Sequence, residues 1–94
     1  MNHNGERFKL RADALEWQVI EGEVIALLTG TSTYIGINSA GTAMWPALAE
    51  GATRDQLSAV LQHRFRIDPD LAGRDTDLFL ASLQEHNLLL AEPA

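Results

Sequence analysis

Thr29-Gly30-Thr31-Ser32-Thr33-Tyr34-Ile35-Gly36-Ile37-Asn38-Ser39-Ala40-Gly41-Thr42-Ala43-Met44-Trp45 is the stretch in which the chain changes its period. Thr29–Thr33 reads as a turn pivoting at Gly30, and Tyr34–Ile37 as a short strand. Asn38 or Ser39 then offers a side-chain oxygen to the free N–H groups of a helix start. Beyond it, Ala40, Met44, Trp45, Leu48 and Ala49 recur at helical rather than alternating spacing, and Gly51 marks the stop. Pro46 lacks an amide hydrogen and crowds the carbonyl four residues back, so a kink or a late helix start is expected there.

Upstream the pattern is that of strands. Phe8, Leu10 and Ala12 alternate with Lys9, Arg11 and Asp13, and Leu15, Trp17 and Val19 alternate again, as on a half-buried strand. Glu21-Gly22-Glu23 reads as a hairpin turn leading into the continuous apolar strand Val24–Leu28. Downstream, Thr53 with Gln56 fits a capping box, and Leu57, Val60, Leu61 and Phe65 lie on one helical face. Arg64 and Arg66 fall near the C-terminal end of this second helix, where its dipole favours cations. Asp68-Pro69 closes it. A third helix, regular after Gly73, carries Thr76, Phe79, Leu80 and Leu83 as its core stripe. Asn87 is expected to end it in a left-handed conformation and lead into Leu88-Leu89-Leu90. The expectation is an α+β fold, a three-stranded antiparallel sheet followed by three helices.

Ninety-four residues at 46% hydrophobic content suit one globular domain. Cysteine is absent, which excludes disulfides and thiolate chemistry. The net charge is −6, and no Lys or Arg occurs between Ala12 and Thr53. Such a surface repels nucleic acid, whose binding relies on cations facing phosphates. The N-terminus has no apolar core of a signal peptide, and Val24–Leu28 and Leu88–Ala91 are too short to span a bilayer. A soluble, cytoplasmic protein with no membrane partner is expected.

Catalytic chemistry finds no support. His3, His63 and His86 are too scattered to converge on a metal. Asp68, Asp70, Asp75 and Asp77 lack the spacing of a calcium loop. Gly30-Thr31-Ser32-Thr33 has no lysine and precedes a strand, so it is no phosphate loop. No serine has a histidine and an acid placed for a triad. No catalytic residue, cofactor or metal is expected. Trp17 and Trp45 read as core aromatics because both sit in apolar periodic patterns.

Tyr34-Ile35-Gly36-Ile37-Asn38, the Ser39-Ala40-Gly41 turn and Met44-Trp45 resemble the signature of the pyrroloquinoline-quinone biosynthesis protein D family. Leu48–Thr53 with Leu57 and Leu61 resembles that family's second helix entry, and Asp75, Phe79-Leu80, Leu83 and Leu88-Leu89 its third helix and exit. The resemblance covers roughly residues 15–90; Pro46, Thr76 and Asn87 depart from the pattern. It implies a winged helix-turn-helix-like fold and a RiPP recognition element, a domain that binds the leader of a ribosomally made precursor peptide. On this reading residues 1–7 are disordered and 8–94 form a single PqqD-like peptide-recognition domain. The leader adds to the third strand at Tyr34, Ile35, Gly36 and Ile37, and packs on Asp75, Leu78, Phe79 and Ser82 of the third helix. A stand-alone acidic chain of this length is most similar to the recognition proteins of lasso-peptide clusters. The implied partners are the leader peptide and a leader peptidase or cyclase. Another radical-SAM-modified peptide, or the pyrroloquinoline-quinone precursor, is the alternative cargo.

Physics supports the same strand, because the last strand of a three-stranded sheet is an unpaired edge that can accept a peptide. It could equally pair with a second copy of the chain, giving a homodimer. Two other classes compete with this reading. One is a winged-helix DNA-binding regulator, opposed by the five aspartates from Asp55 to Asp77. The other is a small enzyme subunit or carrier, for which no site is visible.

Overall fold

The computed structural model describes residues 6–93. Its elements run β1 (Glu6–Leu10), β2 (Leu15–Ile20), β3 (Glu23–Leu28), β4 (Thr33–Gly36), α1 (Ser39–Glu50), β5 (Ala52–Thr53), α2 (Arg54–Phe65), α3 (Pro69–Glu85) and β6 (Leu89–Pro93). The fold is mixed α+β, with two small antiparallel sheets and three helices. One sheet has the order β2-β3-β4 and the other β5-β1-β6.

The expected layout of three strands and then three helices is therefore corrected. Residues 8–19 are not one strand, because the chain turns after Leu10 and sends β1 and β2 into different sheets. After Leu88 the chain leaves α3 as β6, pairing Leu89 with Leu10 and Leu90 with Lys9. Leucine has no strong strand preference, and here pairing with β1 decides the conformation. The expected disorder over 1–7 falls outside the described residues for 1–5, while Glu6 and Arg7 belong to β1.

The helices begin where local chemistry satisfies their free N–H groups. Asn38 Oδ1 accepts from Gly41 N–H at 2.8 Å. Thr53 and Gln56 form the reciprocal capping box, at 3.1 and 2.9 Å. Asp68 Oδ1 accepts from Leu71 N–H at 2.9 Å with Pro69 behind it. So α3 starts at Pro69 and runs through Gly73 instead of becoming regular after it. α1 likewise runs through Pro46 without a late start. Gly51 ends α1 at φ 105°, a conformation closed to most side chains, and its carbonyl accepts from Arg7 Nη2 at 2.8 Å. The turn after β3 takes its positive φ at Ser32, not at Gly30. Asn87, at φ 59°, ends α3 as expected.

The core gathers Met44, Trp45 and Leu48 of α1, Leu57 and Leu61 of α2, Val24 and Ala26 of β3, and Leu88. Thr76 is fully buried, with its hydroxyl donating to Ala72 O at 2.8 Å, so its polar group is satisfied. Trp45 is fully buried, but Trp17 is 43% exposed. Trp17 stands on an edge strand and covers Trp45 edge-to-face at 5.9 Å, with open space on its other side. Phe65, expected in the core stripe, is exposed at the end of α2.

One ion pair ties α2 to α3. Arg54 Nε and Nη2 contact the two Asp77 oxygens at 2.6 and 2.9 Å. These hydrogen bonds hold the Asp77 carboxyl below its ordinary value, against an opposing desolvation by burial. A carboxylate whose value falls on folding stabilises the protein above its unfolded value, about pH 3.9, and loses that contribution as the pH drops through the folded value. Both side chains are about half exposed, so Asp77→Asn should cost only about 0.2–1 kcal/mol at pH 7. Urea titrations should show the gap between wild type and variant closing in acid; a gap that persists there would assign the loss to something other than the charge.

Candidate functional site

β4 is bonded on one side only. It pairs with β3 through Ile25–Gly36, Ala26–Ile35, Leu27–Tyr34 and Leu28–Thr33, and no described strand lies beyond it. Ile37 N–H donates to Val24 O at 3.0 Å, which makes Val24–Ile37 a hydrogen-bonded pair of this ladder. Antiparallel pairs alternate between bonded and non-bonded. Thr33 and Ile35 therefore turn their backbone groups toward β3, and Tyr34 and Gly36 turn theirs outward. The free edge offers an N–H and a C=O from each of Tyr34 and Gly36.

Thr42 fixes where the ladder ends. Its hydroxyl donates to Ile37 O at 3.2 Å and accepts from Val24 N–H at 3.3 Å. The first turn of α1 thus supplies the last rung, and β4 cannot slide along β3 without breaking it. The edge is set by the same residues that start the helix.

Alongside this edge a cavity of about 390 Å³ runs between β4 and α3. Gly36, Ile37, Asp75, Leu78, Phe79 and Ser82 all line it, so six of the eight residues singled out from sequence converge there. Asn38 and Ala40 also line it and were missed. From sequence Asn38 reads as a cap and Ala40 as part of the turn into α1, and neither role points to a groove wall. Asp75, Leu78, Phe79 and Ser82 follow helical spacing and make one face of α3. Leu78 is 65% exposed, Phe79 is half-buried beside Trp45 at a ring distance of 6.4 Å, and Ile37 is buried.

The other two residues lie elsewhere. Ile35 packs inward on the core opposite Ala26. The side chain of Tyr34, 68% exposed, stands on the outer sheet face beside Leu27, Ile25 and Glu16, lining a separate cavity of about 300 Å³. Tyr34 can serve the groove through its backbone, not through its ring. A Cβ added at Gly36 would meet nothing within 4 Å; by strand alternation it would stand on the same outer face as the Tyr34 side chain, so the groove meets Gly36 through its backbone.

Electrostatically the groove carries one carboxylate, Asp75, with no ion-pair partner among the described residues. No three metal-ligating side chains converge among them either. No helix is long and apolar enough to cross a membrane among the described residues. The arrangement suits an extended chain laid along β4, with its alternate side chains entering an apolar wall on α3.

The family model of coenzyme PQQ synthesis protein D (PqqD) matches residues 23–89. Among solved structures, TbiB1 in complex with the TbiA(beta) leader peptide is 30% identical, with a TM-score of 0.77 over 86% of this chain and 93% of that one. Lasso peptide synthetase B1 complexed with the leader peptide gives a TM-score of 0.76 over 88% and 96% of the two chains; at 19% identity this is a likeness of fold alone. No curated protein matches significantly.

Proposed function

The chain belongs to the PqqD family, and from that premise we propose that it binds the leader of a ribosomally made precursor peptide and presents it to the enzymes that modify that peptide. The observation that carries the reading is the free β4 edge, with Tyr34 and Gly36 facing outward, beside an apolar wall from α3. The leader adds as a strand along Tyr34–Ile37 and sends side chains toward Ile37, Leu78 and Phe79, with Asp75 and Ser82 at the margins. TbiB1, the 30% identical relative, holds a leader peptide, and a lasso-peptide precursor is the cargo this favours.

On this reading the domain is non-catalytic and works in the cytoplasm. A leader peptidase or cyclase takes the loaded complex. The α2–α3 pair, joined by three residues and flanked by small sheets, is winged-helix-like. Its Asp55, Asp68, Asp70 and Asp75 turn that resemblance away from DNA. The β4 edge is also where a second copy would pair, in competition with the leader.

The test is a fluorescence-anisotropy titration with a labelled leader taken from the short reading frame nearest the gene. Wild type should saturate, and a scrambled leader should not compete. Leu78→Glu should weaken binding about tenfold to a hundredfold, the loss expected when one large apolar side chain can no longer be covered. Its melting temperature should hold, because Leu78 already stands in water. A collapsed melting temperature would return Leu78 to the core; equal affinity would remove the α3 wall from the site.

A further inference from the structure

Past the α3 end of the groove lies a second depression. Phe65, the last residue of α2, and Leu71, in the first turn of α3, form its rim, each 40% exposed. Leu61 and Ile67 line it, and it is an open depression of about 260 Å³. Single exposed apolar residues are ordinary on a protein surface. These two share one bowl with a buried leucine, which is a different situation.

Ala40 and Asp75 line both this bowl and the groove beside β4. The two depressions are therefore neighbours separated by one ridge, on the same face of α3. We propose that the bowl is a second anchoring subsite for the same leader, taking one large aliphatic or aromatic side chain. The inference rests on the leader reading above and deepens it.

Size and spacing commit the occupant. An apolar cavity of about 150 Å³ already holds a benzene ring, so this one takes a leucine or phenylalanine side chain but no helix face. From Leu71 to Phe79 the helix rises about 12 Å, at roughly 1.5 Å per residue. An extended peptide covers that in roughly four residues, at about 3.3 Å each. A leader that continues along α3 past the end of β4 would set its two anchors about three to five residues apart. Asp75, on the ridge, faces the residues between them and disfavours an acidic one there.

The experiment uses the labelled full leader, a shortened leader ending at its strand-adding segment, and four proteins: wild type, Phe65→Ala, Leu71→Ser and Leu78→Glu. The full leader should bind Phe65→Ala and Leu71→Ser about tenfold to a hundredfold more weakly than wild type, the range for one uncovered apolar side chain. The shortened leader should bind wild type and both bowl variants alike, at that weaker level. An alanine scan of the leader should find one apolar position, three to five residues from the groove anchor, whose effect vanishes in Leu71→Ser. Should Phe65→Ala melt early, Leu71→Ser alone decides, since Leu71 lies in the exposed first turn.

Full-leader affinity unchanged in both variants, with Leu78→Glu still impaired, overturns the second subsite and leaves the leader reading intact. A wild type that binds neither peptide overturns both.

Discussion

Gly41→Ala is expected to destabilise the fold by about 1–2 kcal/mol and to lower leader affinity more than tenfold, although alanine is the better helix former. On an open helix surface this substitution would stabilise by about 0.5–1 kcal/mol. Gly41 is not on an open surface. A Cβ built there would lie 2.5 and 2.7 Å from two Phe79 ring carbons and 2.6 Å from Ile37 Cγ2. Non-bonded carbons settle near 3.5–4.0 Å, so something must move by about 1 Å. Overpacking of this kind costs about 1–3 kcal/mol, which exceeds the propensity gain.

What moves decides the functional effect. Ile37 is buried and β-branched, held between the core and the end of the β3–β4 ladder. Phe79 is half-buried and borders the groove. The cheaper escape is for the ring to swing outward, which fills the space the leader would occupy. Stability and binding should therefore fall together in Gly41→Ala. Adding Phe79→Leu should recover stability, and the double-mutant cycle should show coupling between the two sites. Chemical denaturation and anisotropy on the four proteins of the cycle provide the measurement. A Gly41→Ala protein with wild-type midpoint and wild-type affinity would mean that Phe79 does not pack on α1 as described.

How much of this was legible in the sequence follows from the range of the interactions involved. Asn38, the Thr53–Gln56 box, Gly51 and Asn87 were readable because a cap is satisfied within a few residues of itself. Asp75, Leu78, Phe79 and Ser82 came from the family resemblance, not from the apolar stripe, and their helical spacing is what puts them on one face of α3. What failed needed distant partners. Leu89–Pro93 becomes β6 only because β1 lies beside it, and Trp17 is half-exposed only because β2 is an edge. Pro46 and Gly73 looked like interruptions, yet tertiary packing carries α1 and α3 through them. The direction of the Tyr34 side chain depended on register: a strand placed by pattern alone does not say which of its residues face the free edge.

That register leads to the most selective test of the binding mode. Tyr34→Pro should reduce leader affinity roughly tenfold to a hundredfold relative to Tyr34→Val, while both proteins stay folded. Proline removes one N–H, and at Tyr34 that N–H points away from β3. The β3–β4 ladder therefore keeps its own bonds, and edge strands tolerate proline where the missing donor faces outward. A leader strand, by contrast, would lose the donor for one of its carbonyls and meet the proline ring in its path. A carbonyl left unpaired under a docked strand costs about 1–3 kcal/mol, which is the stated range at 1.4 kcal/mol per tenfold. The valine variant removes the Tyr34 ring without touching the backbone, and because that ring lies on the outer sheet face it should bind nearly as well as wild type. Ile35→Pro completes the argument, since its N–H points inward to Ala26 and its loss should unfold the sheet instead of merely blocking the edge. Equal affinity of Tyr34→Pro and Tyr34→Val, with both folded, would show that the leader does not add to this strand, and the groove along α3 would then have to hold it by side chains alone.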